Sequence, residues 1–161
     1  MAQNERPNLL LGMAHIHVVQ VCTEDEAVQW RRLWRDVYAR QGRGAGLHRY
    51  LWHVFSAQRY AALNGEEADA AYAEHAAPEY VVLANDASAA VVSDTRPKRD
   101  QYLDVYVFPP NLAWTMAFTH EDGYLGPYFA THPDYERLQG ENLQRLDKRR
   151  QVENAKRRGW A

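Results

Sequence analysis

A single cysteine, Cys22, stands in 161 residues, so no internal disulfide framework is possible and a reducing, cytoplasmic setting is expected. Lysine is nearly absent too, at three against sixteen arginines. The net charge is −2, which argues against a protein that coats nucleic acid. No apolar run is long enough to span a bilayer. The longest, residues 9–22, is interrupted by His15 and His17 and followed by Thr23-Glu24-Asp25-Glu26 rather than by a small-residue cleavage site, so neither a membrane span nor a signal peptide is expected. Phosphate-loop glycines, a nucleophile elbow, a zincin helix and zinc-ribbon cysteines are all missing. Internal repeats and low-complexity linkers are missing as well.

What is present is an ordinary globular composition, 46% hydrophobic and 25% charged, enough for one packed domain. Residues 1–147 read as a single α+β domain and residues 148–161 as a basic helical tail. The opening apolar segment reads as a strand, with Met13, His15, His17, Val19 and Val21 on one face and Ala14, Ile16, Val18 and Cys22 on the other. His15 and His17 project the same way and are weak metal-ligand candidates, since no third ligand accompanies them. Cys22 reads as a buried, inert thiol.

Thr23-x-x-Glu26 is a capping box. Ala27, Trp30, Leu33, Trp34, Val37 and Tyr38 then share one helical face, with Arg31, Arg32 and Arg35 opposite. A second helix is expected from about Leu47 to Leu63, stopped by Asn64-Gly65. Trp52 falls off its apolar arc, beside His48, Ser56 and Arg59. An outward Trp52 beside Arg59 has the composition of a binding hot spot, although cover by another element is the favoured reading. A short third helix follows, from about Glu66 to His75.

The period then changes to two. Tyr80–Ala84 and Ala89–Val92 flank Asn85-Asp86-Ala87-Ser88, a hairpin turn. Tyr102–Phe108 and Ala113–His120 form a second hairpin, read as pairing Phe108 with Ala113, Val107 with Trp114, Val105 with Met116 and Leu103 with Phe118. The expected architecture is α+β: N-terminal helices on one face of a mainly antiparallel sheet of four to five strands, then a C-terminal helix. That last helix opens near Pro133-Asp134, buries Tyr135, Leu138, Leu143 and Leu146 on one face, and runs on into solvent.

Residues 114–129, from Trp114-Thr115 through Thr119-His120-Glu121 to Gly126-Pro127-Tyr128-Phe129, carry a pattern together with Trp52-His53-Val54-Phe55-Ser56 upstream. The pattern resembles a family of small bacterial proteins described as a domain of unknown function. That resemblance implies no activity, cofactor or catalytic residue. By analogy alone, small bacterial α+β proteins of this kind accompany toxins as immunity partners.

Three function classes follow from the residues. The first is a protein-binding or inhibitor module. Between Tyr60 and Thr95 stand seven acids, Glu66, Glu67, Asp69, Glu74, Glu79, Asp86 and Asp94, and no lysine or arginine. Such a stretch can steer a basic partner, for instance a toxin domain. Its bland counterpart is a solvated surface. The second class is a small enzyme with acid–base chemistry at His120, Glu121, Asp104 and Tyr128, to which His132-x-Asp134 would add ligands; the bland counterpart is hydrogen bonding within the following turn. The third uses the tail: residues 141–161 hold seven basic residues against three acids, suited to nucleic acid or simply to a solvated helix end. The binding module is the reading adopted, with Trp52, Arg59, Glu66, Glu67, Asp69, Glu74 and Glu79 as its surface. Its expected partner is a protein; no cofactor, membrane or nucleic-acid partner is expected, and oligomeric state is left open.

Overall fold

The computed structural model describes residues 13–14, 16–40, 49–99, 104–121 and 123–159. His15, Leu47, His48, Tyr102 and Leu103 therefore lie outside the described residues, and with them the His15–His17 pair and the Leu103–Phe118 pairing. In chain order the elements are β1 (Met13–Ala14), β2 (Val18–Val21), α1 (Glu24–Tyr38), α2 (His53–Ser56), β3 (Leu63–Asn64), α3 (Glu66–Glu74), β4 (Tyr80–Ala84), β5 (Ala90–Ser93), β6 (Lys98–Arg99), β7 (Val105–Phe108), β8 (Trp114–Phe118), β9 (Tyr128–Thr131) and α4 (Tyr135–Arg157). None of these helices is long and apolar enough to cross a membrane.

The main sheet has seven antiparallel strands in the order β2-β5-β4-β7-β8-β9-β3, and β1 and β6 form a separate ribbon. This exceeds the expected four to five strands. The first apolar segment is not one strand: it splits between the ribbon and the sheet, with a register shift between Val18 and Gln20. Tyr128–Thr131, which follows Gly126-Pro127, is a further strand and pairs with β8.

Both faces of the sheet are covered, not one. Strand residues alternate sides, and in β4, β7 and β8 both sets are buried and, Thr115 apart, apolar. Val81, Leu83, Tyr106, Phe108 and Ala117 meet Ala27, Trp34 and Tyr38 of α1 and Val54 and Phe55 of α2. Val82, Val105, Val107, Trp114, Met116 and Phe118 meet Ala68 and Tyr72 of α3 and Leu138 of α4. A sheet with two apolar faces requires a helix layer on each.

The Thr23–Glu26 capping box forms as expected, through Glu26 N–H to Thr23 Oγ1 at 3.1 Å and Thr23 N–H to Glu26 Oε1 at 3.0 Å. Two aromatic side chains anchor α1 beneath: Trp34 Nε1 donates to Thr115 Oγ1 at 2.9 Å, and the Tyr38 hydroxyl donates to the Leu112 carbonyl at 2.8 Å. The expected second helix shrinks to four residues, because Gln58 turns to φ 57° and ends it and the chain then extends into β3.

The β7–β8 hairpin is slipped by two residues from the expected register. Val105 faces Phe118, Tyr106 faces Ala117 and Val107 faces Met116. The loop is the reason. Leu112 N–H donates to the Pro109 carbonyl at 2.8 Å, Ala113 N–H turns to Asn111 Oδ1 at 3.2 Å, and the Ala113 carbonyl accepts from His132 N–H at 2.9 Å, so Ala113 is not available to Phe108. An even slip keeps every side chain on its expected face. On α4, Leu138, Gln139 and Asn142 are buried, whereas Leu143, expected in the core, is 54% exposed. Asn142 Nδ2 reaches Asn111 Oδ1 at 3.2 Å and so ties the helix to that same loop.

Candidate functional site

Antiparallel pairing of β7 and β8 carries Asp104 and His120, which flank the ladder, to the same end of the sheet. There the Asp104 carboxylate gathers three donors. His120 Nδ1 lies 2.9 Å from both Oδ1 and Oδ2, His120 N–H reaches Oδ1 at 3.2 Å, and Trp52 Nε1 donates to Oδ1 at 2.8 Å. Glu121 Oε1 stands 3.8 Å from the other imidazole nitrogen, Nε2. The Asp104 side chain is 17% exposed and that of His120 is 38% exposed.

The surroundings are aromatic. Tyr50 stacks on Trp52 with ring centres 5.5 Å apart, and Trp52 stacks on Tyr128 at 6.2 Å. The Tyr50 ring lies 5.0 Å from the His120 ring, and the Arg49 guanidinium lies 5.6 Å above Tyr50. A polar chain holds this assembly from below. Trp52 N–H donates to the Tyr106 hydroxyl at 2.9 Å, which donates to Asn85 Oδ1 at 2.7 Å; Asn85 N–H donates to the Asp104 carbonyl at 3.1 Å. Burial pushes the Tyr106 phenol well above its usual pKa, so it remains a neutral donor. Burial also raises Tyr128, with Glu121 adding to the effect. Gly126 completes the corner: its φ is +98°, and a Cβ there would stand 2.8 Å from Thr119.

The structure thus unites His120, Asp104, Glu121 and Tyr128 and adds Trp52 to them. Trp52 is not an outward hot spot. It is 0% exposed: it precedes α2 as the N-cap residue instead of lying on a helical surface, and its indole turns inward to Asp104. Arg59 is exposed and lies apart, lining a depression of about 500 Å³ with Arg40, Tyr60 and His132. The acids form no single patch. Glu66, Glu67, Asp69 and Glu74 are exposed on α3, and Glu79 is half-buried. Asp86 lies at the β4–β5 turn beside the arginines of α1, on the other side of the sheet, and Asp94 Oδ1 meets His17 Nδ1 at 3.0 Å. His132 Nδ1 accepts the Asp134 N–H at 2.8 Å. Among the described residues no group of three or more His, Cys, Asp or Glu is placed to hold a metal ion. Cys22 is buried, and burial raises its pKa, followed by the influence of Glu26. Asn85, Tyr106 and Tyr50 were not singled out by the sequence as site residues. Asn85 announces a turn and Tyr106 a strand, and neither signal shows that their polar atoms meet.

The chain belongs to the family described as Domain of unknown function (DUF4275), whose model matches residues 14–129. That span includes Trp52, Asp104, His120 and Tyr128, and α4 lies beyond it. No curated protein matches the chain, and no solved structure does.

Proposed function

We propose that the chain is a protein-binding module whose acidic helix α3 receives a basic protein surface, with inhibition of a toxin domain in a bacterial cytoplasm as the finer form of that reading. The observation that supports it is the arrangement of charge on α3. At 100° per residue, Glu66, Glu67, Asp69 and Glu74 fall within an outward arc of about 160° while Ala68 and Tyr72 are buried behind them. The arginines of α1 lie across the sheet, two packed layers of roughly 10 Å each away, beyond a Debye length of about 8 Å. The carboxylates of α3 therefore present a field that the arginines of α1 do not cancel. Such a field raises association rate and selects partners of opposite sign.

The test is capture of partners from the native host by the tagged chain, read by mass spectrometry, followed by association kinetics with the captured protein. Glu66→Gln, Glu67→Gln and Glu74→Gln together are expected to slow association and flatten its salt dependence while the melting temperature stays close to wild type. An unchanged association rate removes α3 as the receiving surface, and failure to capture any protein removes the binding reading.

The Asp104–His120 pair supports a second reading, an acid–base site. Asp104 fixes the imidazole through Nδ1, which leaves Nε2 as the proton-handling atom next to Glu121. If His120→Ala abolishes the biological effect while fold and partner capture survive, this reading replaces the first.

A further inference from the structure

The outer side of α1 has no role in either reading. Arg31, Arg32, Arg35 and Arg40 line an open depression of about 450 Å³, together with Asp36 and Asp86. Four guanidinium groups within ten residues repel one another, and like charges at i, i+4 such as Arg31 and Arg35 disfavour a helix. Among the described residues none of the four forms an ion pair. Among the described residues Arg31 alone of the four has a side-chain hydrogen-bond partner, donating through Nε to the Asn85 carbonyl at 3.2 Å. Burial, followed by the neighbouring Arg35, holds the Arg31 guanidinium below its usual pKa. The dipole of α1 favours cations in its last turn, which accounts for Arg35 but not for Arg31 and Arg32 a turn earlier.

We propose that this depression binds a compact anion carrying two or more phosphoryl groups. Guanidinium forks match phosphate oxygens bidentately, and a lysine would not. Four guanidinium groups against the carboxylates of Asp36 and Asp86 leave two positive charges in the depression, suited to a small polyanion. Those same two carboxylates oppose an extended phosphodiester strand, which would have to run past them.

The experiment is isothermal titration of the full chain with inorganic tripolyphosphate at low and physiological salt. One saturable site is expected, weakened at least tenfold by Arg32→Gln with Arg35→Gln. Arg32→Lys with Arg35→Lys is expected to weaken it as well, because the charge stays and the fork is lost. Lys148→Gln, Arg149→Gln and Arg150→Gln in the tail are expected to leave it unchanged. Circular dichroism checks that each variant melts with the wild type; if the glutamine pair melts early, the lysine pair supplies the comparison. Absence of saturable binding overturns the proposal, as does binding that depends on the tail. A single-stranded oligonucleotide binding more tightly than tripolyphosphate through the same arginines also overturns it, in favour of an extended nucleic-acid ligand.

Discussion

Removing the Asp104 carboxylate tests what holds the corner between β7, β8 and the segment around Trp52. In Asp104→Ala the indole N–H of a fully buried Trp52 loses its acceptor, 2.8 Å away. A hydrogen bond to a charged group contributes about 1.5–3 kcal/mol, and a buried donor left unpaired makes its loss felt in full. The His120 pairing is more than a third exposed, so solvent screens it and it adds only about 0.5–1 kcal/mol. The total is about 2–4 kcal/mol. For a chain of this length, at roughly 3 °C per kcal/mol, the melting temperature falls by about 6–12 °C. Asp104→Asn keeps an oxygen for Trp52 and is expected to lose less than half of that. The assay is thermal and urea unfolding of Asp104→Ala, Trp52→Phe and the double variant. Because the cavity made by Trp52→Phe occurs in both arms of the cycle, the coupling energy isolates the bond. A coupling below about 0.5 kcal/mol, or an Asp104→Ala melting temperature within about 2 °C of wild type, refutes the reasoning.

Gly126→Ala places a Cβ 2.8 Å from Thr119 at a φ of +98°, whereas Gly123→Ala at φ +90° meets nothing within 4 Å. Both are strained, so Gly126→Ala is expected to melt lower than Gly123→Ala by the cost of the clash; equal melting temperatures would contradict the close approach. Deleting residues 148–161 removes side chains that are exposed apart from the half-buried Ala155 over 148–159, and the melting temperature is expected to move by no more than about 2 °C in differential scanning calorimetry. Burial holds the pKa of His132 below 6.5, and its Nδ1 already accepts the Asp134 N–H. The unfolded state therefore binds the proton more readily, so His132 withdraws stability as pH falls through about 6.5. His132→Ala is expected to flatten the decline of stability between about pH 7 and pH 5, and an identical slope rules the effect out.

The parts of this fold that were legible in the sequence are those fixed by neighbours along the chain. The capping box and apolar arc of α1 need only local spacing. The β4–β5 hairpin turns where Asn85-Asp86-Ala87-Ser88 says it should, and the short helix at Glu66–Glu74 matches its expected span closely. What was not legible depends on partners far away in sequence. The two-residue slip of β7 against β8 comes from Asn111 and His132 holding Ala113. The segment after Trp52 carries a helical apolar pattern through residue 63, yet Gln58 reverses its φ, and Leu51 N–H and Trp52 N–H go to Asn85 Oδ1 and the Tyr106 hydroxyl. A helix continuous to Leu63 would point Trp52 outward, but α2 begins only at His53, so Trp52 precedes it and its indole turns inward to Asp104. The second apolar face of the sheet follows from strand alternation, but that the face carrying Tyr106 and Ala117 is buried against α1 and α2 depends on packing between distant segments. For the site, Asp104, His120, Glu121 and Tyr128 were recognisable as titratable groups near one strand end. The Asn85–Tyr106–Trp52 chain beneath them was not, since it exists only once the hairpin turn and β7 meet.

The hydrogen bonds that orient His120 are the same ones that tie its corner together, so a loss-of-function His120→Ala leaves structural and chemical roles entangled. Asparagine separates them. Its Nδ2 is two bonds from Cβ, as is Nδ1 of histidine, so His120→Asn can still donate to Asp104 where the imidazole does at 2.9 Å. The atom it lacks is Nε2, the only ring nitrogen free for proton transfer and the one facing Glu121 at 3.8 Å. Under the binding reading, His120→Asn is expected to melt within about 3 °C of wild type and to associate with its partner at the wild-type rate, whereas His120→Ala melts lower. Under the acid–base reading, His120→Asn folds equally well and is inactive. A variant that is stable, binds normally and has lost the biological effect therefore assigns the chemistry to Nε2. A variant that is stable and fully functional leaves His120 as the residue that closes the β8 corner onto Asp104, with α3 carrying recognition.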